Sequence, residues 1–467
     1  MIEIPRALVR TFRGILRQSV LAESPRDGSL PIRIQSGPAG LLLEACRGHV
    51  ALRYEHPGGQ STAEVVLALS GLMGFEGTTN EVVVIDPVAP AKARARWHNA
   101  GVPRSLELTC IPPDRVSPFP DMPSEMEPLP GTFVVALGEA AHTAASFSTR
   151  YALNTVCLRG KHGQVVATDG RQLLIQGGFP LPWPNDVLVP RVLAFASRPL
   201  SGIEEVAIGR TDAHVVVRAG PWTFALGIAA DARFPDVECV IPRRSSTRLT
   251  LHPEDTTVLR EVLPNLPGDK EDTAPITLDL TNPPVVRARE GNEGPAAEVE
   301  LPQSIVSGPA LRVVIDRRYL HRAARLGFTE VLIASADKPL VARDDLRTYL
   351  WMPLSPNSAI APGPDVARVT SWPTNGTPAP SSPPTPKRRI EPMADRPIEN
   401  GSPPRNGTAD RVPTLDDLFN EAEALRGLLQ ESQTRLARLG GGLKSLRKHG
   451  RALQAAVESL RNLQLTP

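Results

Sequence analysis

The chain has 467 residues, with 52 Lys plus Arg against 50 Asp plus Glu and a formal net charge of +2. At about 100 to 200 residues per domain this length predicts two to four domains; the balanced charge excludes a globally basic nucleic-acid binder, so any such surface must come from local clusters. Four widely spaced cysteines exclude a zinc ribbon and a dense disulfide framework. Together with the lack of a long apolar run, they predict a cytoplasmic protein without a membrane partner.

The first predicted element is a helix from Pro5 to Val20 that carries a row of arginines. At helical spacing these side chains share one face, and no acid interrupts them. The row consists of Arg6, Arg10, Arg13 and Arg17. The apolar side chains, Phe12 and Ile15 among them, point away from this face toward a core.

Up to about residue 355 the sequence is typical of short strands. Alternating apolar patterns predict strands at 204–208, 214–217, 222–226, 312–315 and 330–333. The tripeptide Phe-Pro-Asp occurs at 119–121 and 234–236, a spacing of 115 residues, and a further 115 leads to residue 349. This spacing predicts three similar domains; the alternative is chance recurrence of a tripeptide.

A late helix from Asp316 to Leu326 repeats the arginine pattern. Arg318, Arg322 and Arg325 lie on one side of it, again without an intervening acid. A charged helix face is often simply solvated, and this alternative stays open for each stripe taken alone. A solvated face, however, usually mixes charges of both signs. Two acid-free rows favour contact with the phosphates of a nucleic-acid backbone, which gives affinity without reading the base sequence.

The motifs of nucleotide-binding, hydrolytic and metal-dependent enzymes are missing from the sequence. There is no phosphate-binding loop, no nucleophile elbow and no zinc-binding helix motif. The Asp169-Gly170 pair follows an apolar run and is typical of a tight turn. The sequence therefore predicts a protein without a catalytic residue, a bound metal or a cofactor.

The C-terminal quarter has a different composition. Residues 356–412 contain 13 prolines among 57 residues and few large apolar side chains, which predicts a disordered linker. Residues 413–467 carry an apolar seam at heptad spacing, from Leu415 to Leu460. Acids dominate its first half and bases its second, which favours a helical hairpin or an antiparallel coiled coil with an unknown partner. The alternative is a weak solvated helix.

Several motifs taken in order resemble the bacterial sliding clamp, the β subunit of DNA polymerase III. They are Arg150 to Asn154, Val166 to Gly170, Arg233 to Asp236 with Val240 to Pro242, and Tyr349 to Leu354. The resemblance covers about residues 1–355 and is weakest in the first repeat. The chain departs from the family pattern at Arg171-Gln172 and at Leu354-Ser355, and it continues past the residue where the family normally ends.

The resemblance implies an α+β fold of three tandem clamp domains, each with two helices backed by antiparallel sheet. The expected boundaries are 1–124 for a divergent first domain, 125–243, 244–355, then the linker 356–412 and the coiled-coil segment 413–467. It adds Arg150 to the DNA-contacting arginines. It also implies a cleft for partner peptides formed by Leu153, Thr168, Gly170, Leu173, Pro235, Val240, Leu350, Met352, Pro353 and Leu354.

By this resemblance the protein is a non-catalytic processivity factor that closes into a head-to-tail dimer ring around duplex DNA. The implied partners are double-stranded DNA, the replicative polymerase, the clamp loader and the clamp-binding peptides of repair proteins. The implied location is the cytoplasm, at the nucleoid. The alternative is a clamp-derived adaptor that forms no ring and acts through its coiled-coil tail.

Overall fold

The computed structural model describes residues 1–370, except 23, 25, 59–60, 148–150, 269–272, 292–294 and 364–365. Arg150, most of the predicted linker and the whole predicted coiled-coil segment therefore lie outside the described residues. Among the described helices, none combines the length and apolar character that crossing a bilayer requires.

The first domain contains eight strands and two helices. Helix α1 starts directly after Pro5, which caps it in an extended conformation, and it buries Val9, Phe12, Ile15 and Leu16. Its elements are β1 (Ile2–Pro5), α1 (Arg6–Gln18), β2 (Pro31–Gly37), β3 (Gly40–Arg47), β4 (Val50–His56), β5 (Ala63–Ala68), α2 (Leu69–Met73), β6 (Val82–Ala89), β7 (Lys92–Asn99) and β8 (Val102–Thr109).

The second domain has eight further strands but one α-helix. Two 3₁₀ turns, Leu193–Ala196 and Arg198–Leu200, stand where the resemblance predicts a second helix. Ser197 between them is extended and Pro199 follows, so no α-helix continues through this point. The elements are β9 (Glu127–Leu129), α3 (Thr132–Thr143), β10 (Thr155–Arg159), β11 (Gln164–Thr168), β12 (Gln172–Gln176), β13 (Asp186–Pro190), β14 (Val206–Arg210), β15 (His214–Ala219) and β16 (Trp222–Gly227).

The third domain is followed by an additional strand. Asp316 caps its second helix by accepting a hydrogen bond from the Arg318 backbone N–H. The elements are β17 (Thr247–Thr250), α4 (Pro253–Val262), β18 (Pro275–Leu280), β19 (Val285–Arg289), β20 (Ala296–Glu300), β21 (Ile305–Ser307), β22 (Leu311–Asp316), α5 (Arg317–Arg325), β23 (Glu330–Ile333), β24 (Leu340–Arg343), β25 (Arg347–Trp351) and β26 (Val366–Thr370). All five strands and both helices that the sequence pattern predicts are present, with ends shifted by at most two residues.

The described domains are built from six units with a common plan: a strand, a helical element and then a run of three antiparallel strands. The sixth unit has one additional short strand, β21, before it. The last strands of these units are β4, β8, β12, β16, β20 and β25. Two pairs of last strands join the domains, because β4 pairs with β16 and β12 pairs with β25, both antiparallel. These joints create one sheet of eight strands and one of nine.

The domain-joining sheets bury apolar side chains on both faces. On the helix side, Phe224 of β16 lies in a core shared by the first two domains, and Tyr349 of β25 lies in the core of the third. On the opposite side, Phe119 packs over the β4·β16 joint and Phe234 over the β12·β25 joint. The recurring Phe-Pro-Asp tripeptide therefore marks the linkers 110–126 and 228–246, each of which covers the joint of a shared sheet. Both predicted internal boundaries fall in these linkers.

The start of the predicted disordered linker is part of the fold. Pro356–Ser358 form a 3₁₀ turn, Ile360 is buried, and Val366–Thr370 form β26 beside β20. The prediction of disorder from residue 356 is therefore wrong for these described residues. Proline density dominates the composition of the segment, but the run Val-Ala-Arg-Val-Thr is rich in β-branched residues and finds an unpaired strand edge.

Gly138, in the middle of α3, allows this helix to touch the 3₁₀ turn beside it. A Cβ atom at Gly138 would lie 2.9 Å from the Ala196 backbone nitrogen and 3.0 Å from its Cα. We expect G138A to lower the free energy of unfolding by about 1–3 kcal/mol, because backbone on both sides must shift.

The matched control is G14A in α1, where a Cβ meets nothing within 4 Å. This change should raise the free energy of unfolding by about 0.5–1 kcal/mol, because alanine is the better helix former. Denaturant unfolding of both variants measures the difference. Equal effects of the two substitutions would contradict the close contact.

Candidate functional site

The helical elements form one continuous row through the described domains. Helix α1 contacts α2 and the 3₁₀ turn Leu193–Ala196; that turn packs on α3, and α5 packs on α4. The row is closed between α3 and α5 by Arg322, whose Nη2 donates to the Glu139 carbonyl at 2.7 Å. The two helices with arginine stripes are thus parts of a single surface that crosses all three domains.

The α1 stripe divides into two exposed and two engaged arginines. Arg10 and Arg17 are exposed and form no ion pair with a described residue. Arg6 is held at 11% side-chain exposure by Glu81, with Nη1 2.8 Å from the carboxylate, and by the Phe75 carbonyl at 3.1 Å from Nε. Arg13 lies 2.5 Å from the Glu76 carboxylate.

These ion pairs fasten the loop after α2 onto α1. The guanidinium of Arg6 fits against Gly77, where a Cβ would lie 2.8 Å from the Arg6 Cζ. The acids that neutralise the stripe are more than 60 residues away in sequence, so helical spacing alone predicts a bare cationic row. Arg10 and Arg17 are therefore the exposed cations of the stripe, and Arg6 and Arg13 are already engaged by acids.

The α5 stripe is divided in a similar way. Arg318 is half-exposed and paired with its own cap, Asp316, and this hydrogen bond raises the pKa of the guanidinium. Arg322 is 16% exposed and bonds the Glu139 carboxylate at 3.1 Å and the Thr143 hydroxyl at 2.9 Å. Arg325 is exposed and forms no ion pair with a described residue. Arg325 is therefore the exposed cation of this stripe that no described residue engages, whereas Arg318 is already paired with Asp316 and Arg322 ties the third domain to the second.

The rest of the row is less basic than its two arginine helices. The exposed positions of α3 are Thr132, Val135 and His142, and the exposed charged residues of α4 are Glu254, Arg260 and Glu261. Burial lowers the pKa of His321 on α5, whose Nε2 lies 3.1 Å from the Arg260 carbonyl.

One exposed arginine on the 3₁₀ turns was missed by the sequence analysis. Arg198 follows the turn that packs between α1 and α3. Arg198 does not belong to a helical repeat of arginines, because its neighbours Ser197 and Pro199 interrupt the helix. The sequence pattern therefore did not indicate it. Its position extends the cationic part of the row into the second domain.

The predicted peptide cleft is centred on the β12·β25 joint. Leu173 and Leu350 are direct neighbours in the register of this joint and are 2% and 3% exposed. They belong to an apolar cluster with Cys157 and Val166, and the linker residue Phe234 packs against it. Burial raises the pKa of the Cys157 thiol to about 12, so this cysteine stays protonated within the cluster.

The ten predicted cleft residues differ in exposure. Thr168, Leu173 and Leu350 are buried and form the floor; Leu153, Pro235, Pro353 and Leu354 are half-buried; and Gly170, Val240 and Met352 are exposed.

Contacts bring the hairpin part of the predicted cleft together. A Cβ at Gly170 would lie 3.9 Å from a Leu153 methyl, and the Met352 N–H donates to the Arg171 carbonyl at 2.8 Å. Leu354 lies at the far end of the set, because its N–H donates to Val314 of β22 in another sheet.

The Asp169-Gly170 pair forms the tight turn between β11 and β12. The Asp169 carboxylate accepts hydrogen bonds from the Arg171 and Gln172 backbone N–H groups, both at 2.8 Å, and Gly170 has a φ of +89°. The predicted turn is confirmed, and the carboxylate is used by the backbone. Within the described ranges, no cluster of three or more His, Cys, Asp or Glu side chains could hold a metal ion.

Solved structures share this architecture. A DNA polymerase sliding clamp from Pseudomonas aeruginosa aligns with a TM-score of 0.62 at 21% identity, over 76% of this chain and 99% of that chain. The sliding clamp from Bacillus subtilis aligns with a TM-score of 0.63 at 16% identity, over 76% and 98%. The DNA polymerase III subunit beta from Borrelia burgdorferi gives 0.63 at 14% identity, over 76% and 97%.

At these identities the likeness establishes the fold. The chain has the sliding-clamp fold, and the α+β class and three-domain plan implied by the resemblance are confirmed. No protein-family model matches the sequence, and no curated protein matches it.

The Arg322 contacts provide a test of the row itself. We expect R322A to lower the free energy of unfolding by about 1.5–3 kcal/mol, because it removes hydrogen bonds from a mostly buried charged group. R325A removes the same charge one helical turn away at an exposed position and should change stability by less than about 0.5 kcal/mol. Denaturant unfolding monitored by near-UV circular dichroism compares them. If R325A were as destabilising as R322A, the assignment of Arg322 as the tie between domains would be wrong.

Proposed function

We propose that this protein is a DNA polymerase processivity factor, a sliding clamp that encircles duplex DNA as a head-to-tail dimer. The observation that carries the proposal is which of the six last strands pair with one another. Four of the six pair with one another within the chain. The other two, β8 in the first domain and β20 in the third, pair with no other last strand, and the outer edge of β20 carries β26. Two copies joined twice through β8 and β20 would form a closed ring of twelve units.

The charges on the helical row support sequence-independent binding of DNA. Arg10, Arg17, Arg318 and Arg325 are exposed on α1 and α5, with Arg198 between them. Guanidinium groups on a helical surface contact phosphates and give affinity without base readout, as a protein that slides requires. Arg6, Arg13 and Arg322 contribute to the electrostatic field of the row, although their hydrogen bonds are already made. Arg150 stays a prediction outside the described residues.

The cleft supports a role in recruiting partners. Its buried apolar floor and exposed rim residues Val240 and Met352 suit the side chains of a short linear peptide. We propose the replicative polymerase, the clamp loader and the clamp-binding motifs of repair proteins as its partners.

In this role the protein carries out no bond chemistry. Tethering a polymerase to its template raises the effective concentration of one at the other. The protein would act by encircling DNA and by forming weak contacts with its partners, and the fold provides large surfaces for such contacts. The proposed location is the cytoplasm, where the clamp would act at the nucleoid.

A second candidate is an adaptor with the clamp fold that forms no ring. The observation that favours it is β26, which pairs with the β20 edge that ring closure would use. In such a protein the predicted coiled-coil tail would supply the interactions.

Loading on circular DNA separates the two functions. The full chain is loaded, with its clamp loader, on nicked circular DNA and washed in salt, and the circle is then cut once. A clamp stays on the circle and is lost from the linear form, since it slides off the ends. Equal retention or equal loss on both forms would refute the ring and favour the adaptor.

The exposed arginines are tested by the salt dependence of DNA binding. We expect R10A/R17A to weaken binding to duplexes of any sequence and to reduce the slope of log K against log salt by about one to two, since each phosphate contact contributes about 0.9. The matched control is R218A/R343A, which removes two exposed arginines on β15 and β24, outside the helical row. An unchanged slope in R10A/R17A, or the same loss in the control, would contradict the assignment.

A further inference from the structure

The strand β26 is the one parallel partner among the described strand pairs. It lies against β20 with Ala297 opposite Ala367, Glu298 opposite Arg368 and Val299 opposite Val369. Without it, β20 would be the edge of a four-stranded sheet, with a row of backbone N–H and C=O groups facing solvent. The additional strand therefore satisfies an edge that the three-domain fold leaves open.

The internal repetition of the chain identifies what that edge is for. β20 is the last strand of the first unit in the third domain, as β4 and β12 are in the first and second domains. β4 and β12 each pair antiparallel with the last strand of a second unit, β16 and β25. By the same rule the partner of β20 is β8, and β8 is available only from a second copy, because it lies in the first domain of the chain.

The route of the chain to β26 follows the same repetition. The first two linkers cross the outer face of a shared sheet at its joint. Residues 352–363 take the corresponding path over the third sheet: the Leu354 N–H donates to Val314 of β22 at 2.7 Å, and the Ile360 N–H donates to the Thr277 hydroxyl of β18 at 2.8 Å. The segment thus leads directly to the β20 edge, where β26 takes the place of the missing neighbour.

A ladder of alternating charges crosses the outer face of this sheet and ends on β26. Each strand contributes one member, in the spatial order Arg312, Asp279, Arg287, Glu298 and Arg368. Arg287 Nε lies 2.6 Å from Glu298, and Arg368 Nε lies 3.2 Å from the other Glu298 oxygen. Burial favours the protonated form of Glu298, but hydrogen bonds from Arg287 and Arg368 outweigh it and lower the pKa of this carboxyl group. The edge therefore presents a buried carboxylate that Arg287 pairs from the neighbouring strand β19 and Arg368 pairs from β26.

The hold of β26 on the edge is weak in comparison with the domain joints. Arg368 is 66% exposed, and Ala367 and Val369 are exposed as well. The guanidinium of this ion pair is open to solvent, which screens its attraction to Glu298, and the exposed Ala367 and Val369 bury little apolar surface. By contrast, the β12·β25 joint buries Leu173 and Leu350. A strand with this profile can be displaced by a partner with more surface to bury.

We propose that β26 is a cap in cis on the ring-closing edge, and that β8 of a second copy competes with it for β20. The inference rests on the proposed ring: the capped form stays open, and departure of β26 permits closure. The C-terminal extension then controls when the clamp assembles.

The test displaces β26 in the full chain with A367P/R368P. Successive backbone N–H groups of a strand point to opposite sides, so only one of any two neighbours faces β20. Proline at two adjacent positions therefore removes one N–H group that faces β20. The control A367S/R368K keeps both N–H groups and the cation. Amide hydrogen exchange of the β8 peptide, 102–109, is followed from low to high protein concentration, because this readout reports pairing at β8 and is blind to association through the tail.

We expect β8 protection to appear at a protein concentration at least tenfold lower in A367P/R368P than in the wild type or the control. Equal concentration dependence in all three proteins would overturn the proposal. Loss of β20 protection without any gain at β8 would also overturn it, since the edge would then be free but unused by a second copy.

A lock provides a second route should the proline variant not fold. A297C/A367C in a C239S background places two thiols opposite each other on β20 and β26. Oxidation should abolish the concentration-dependent protection of β8, and reduction should restore it. Protection that persists in the oxidised protein would refute competition for the edge.

These readouts contain no DNA and therefore separate this inference from the proposed function. If A367P/R368P gained β8 protection but left circular DNA as readily as linear DNA, the cap would stand and the clamp function would fail. A gain in both would support both.

Discussion

The pairing of strand edges is the constraint on which the whole molecule depends. Each of the six units ends in a strand whose outer backbone groups need partners, because unpaired N–H and C=O groups at a sheet edge invite association. Two joints within the chain satisfy four of these strands, and β26 satisfies a fifth. Domain order, the cleft over the β12·β25 joint and the proposed ring all follow from which edge meets which. Helix α3 is positioned as a consequence, since it packs on β10, β11 and β12 of the nine-stranded sheet that a joint has fixed.

Local pattern predicted much of this arrangement. Both arginine helices, the five strands and the Asp169-Gly170 turn follow from periodicity and turn chemistry, which depend on near neighbours. The ion pairs of Arg6, Arg13 and Arg322 do not, because Glu81, Glu76 and Glu139 meet them only in the folded chain. For the same reason the sequence pattern predicts four equivalent cations on α1, although Arg6 and Arg13 form ion pairs with the loop after α2.

Other features escaped prediction because one local signal masked another. Proline-rich composition concealed the strand Val366–Thr370, which becomes ordered through an edge supplied from about 70 residues earlier in the chain. In the second domain, Pro199 replaced an expected helix by 3₁₀ turns and so left Arg198 without a visible period. The cleft was identified through its resemblance to a family, since the apolar residues alone describe an ordinary domain junction. Its buried floor and exposed rim became distinguishable only once the register of β12 and β25 was known.

The alternating directions of side chains along β25 make this strand unusually intolerant of insertions and deletions. Tyr349 and Trp351 face the core of the third domain, whereas Leu350 faces the cluster under the cleft. Removal of a single residue upstream in the strand would turn each side chain to the opposite face. It would expel two aromatic rings from one core and force a leucine into their place, and it would shift every backbone bond of the joint to β12. Length variation among related chains is therefore expected in the linkers and after β26, and not within this strand.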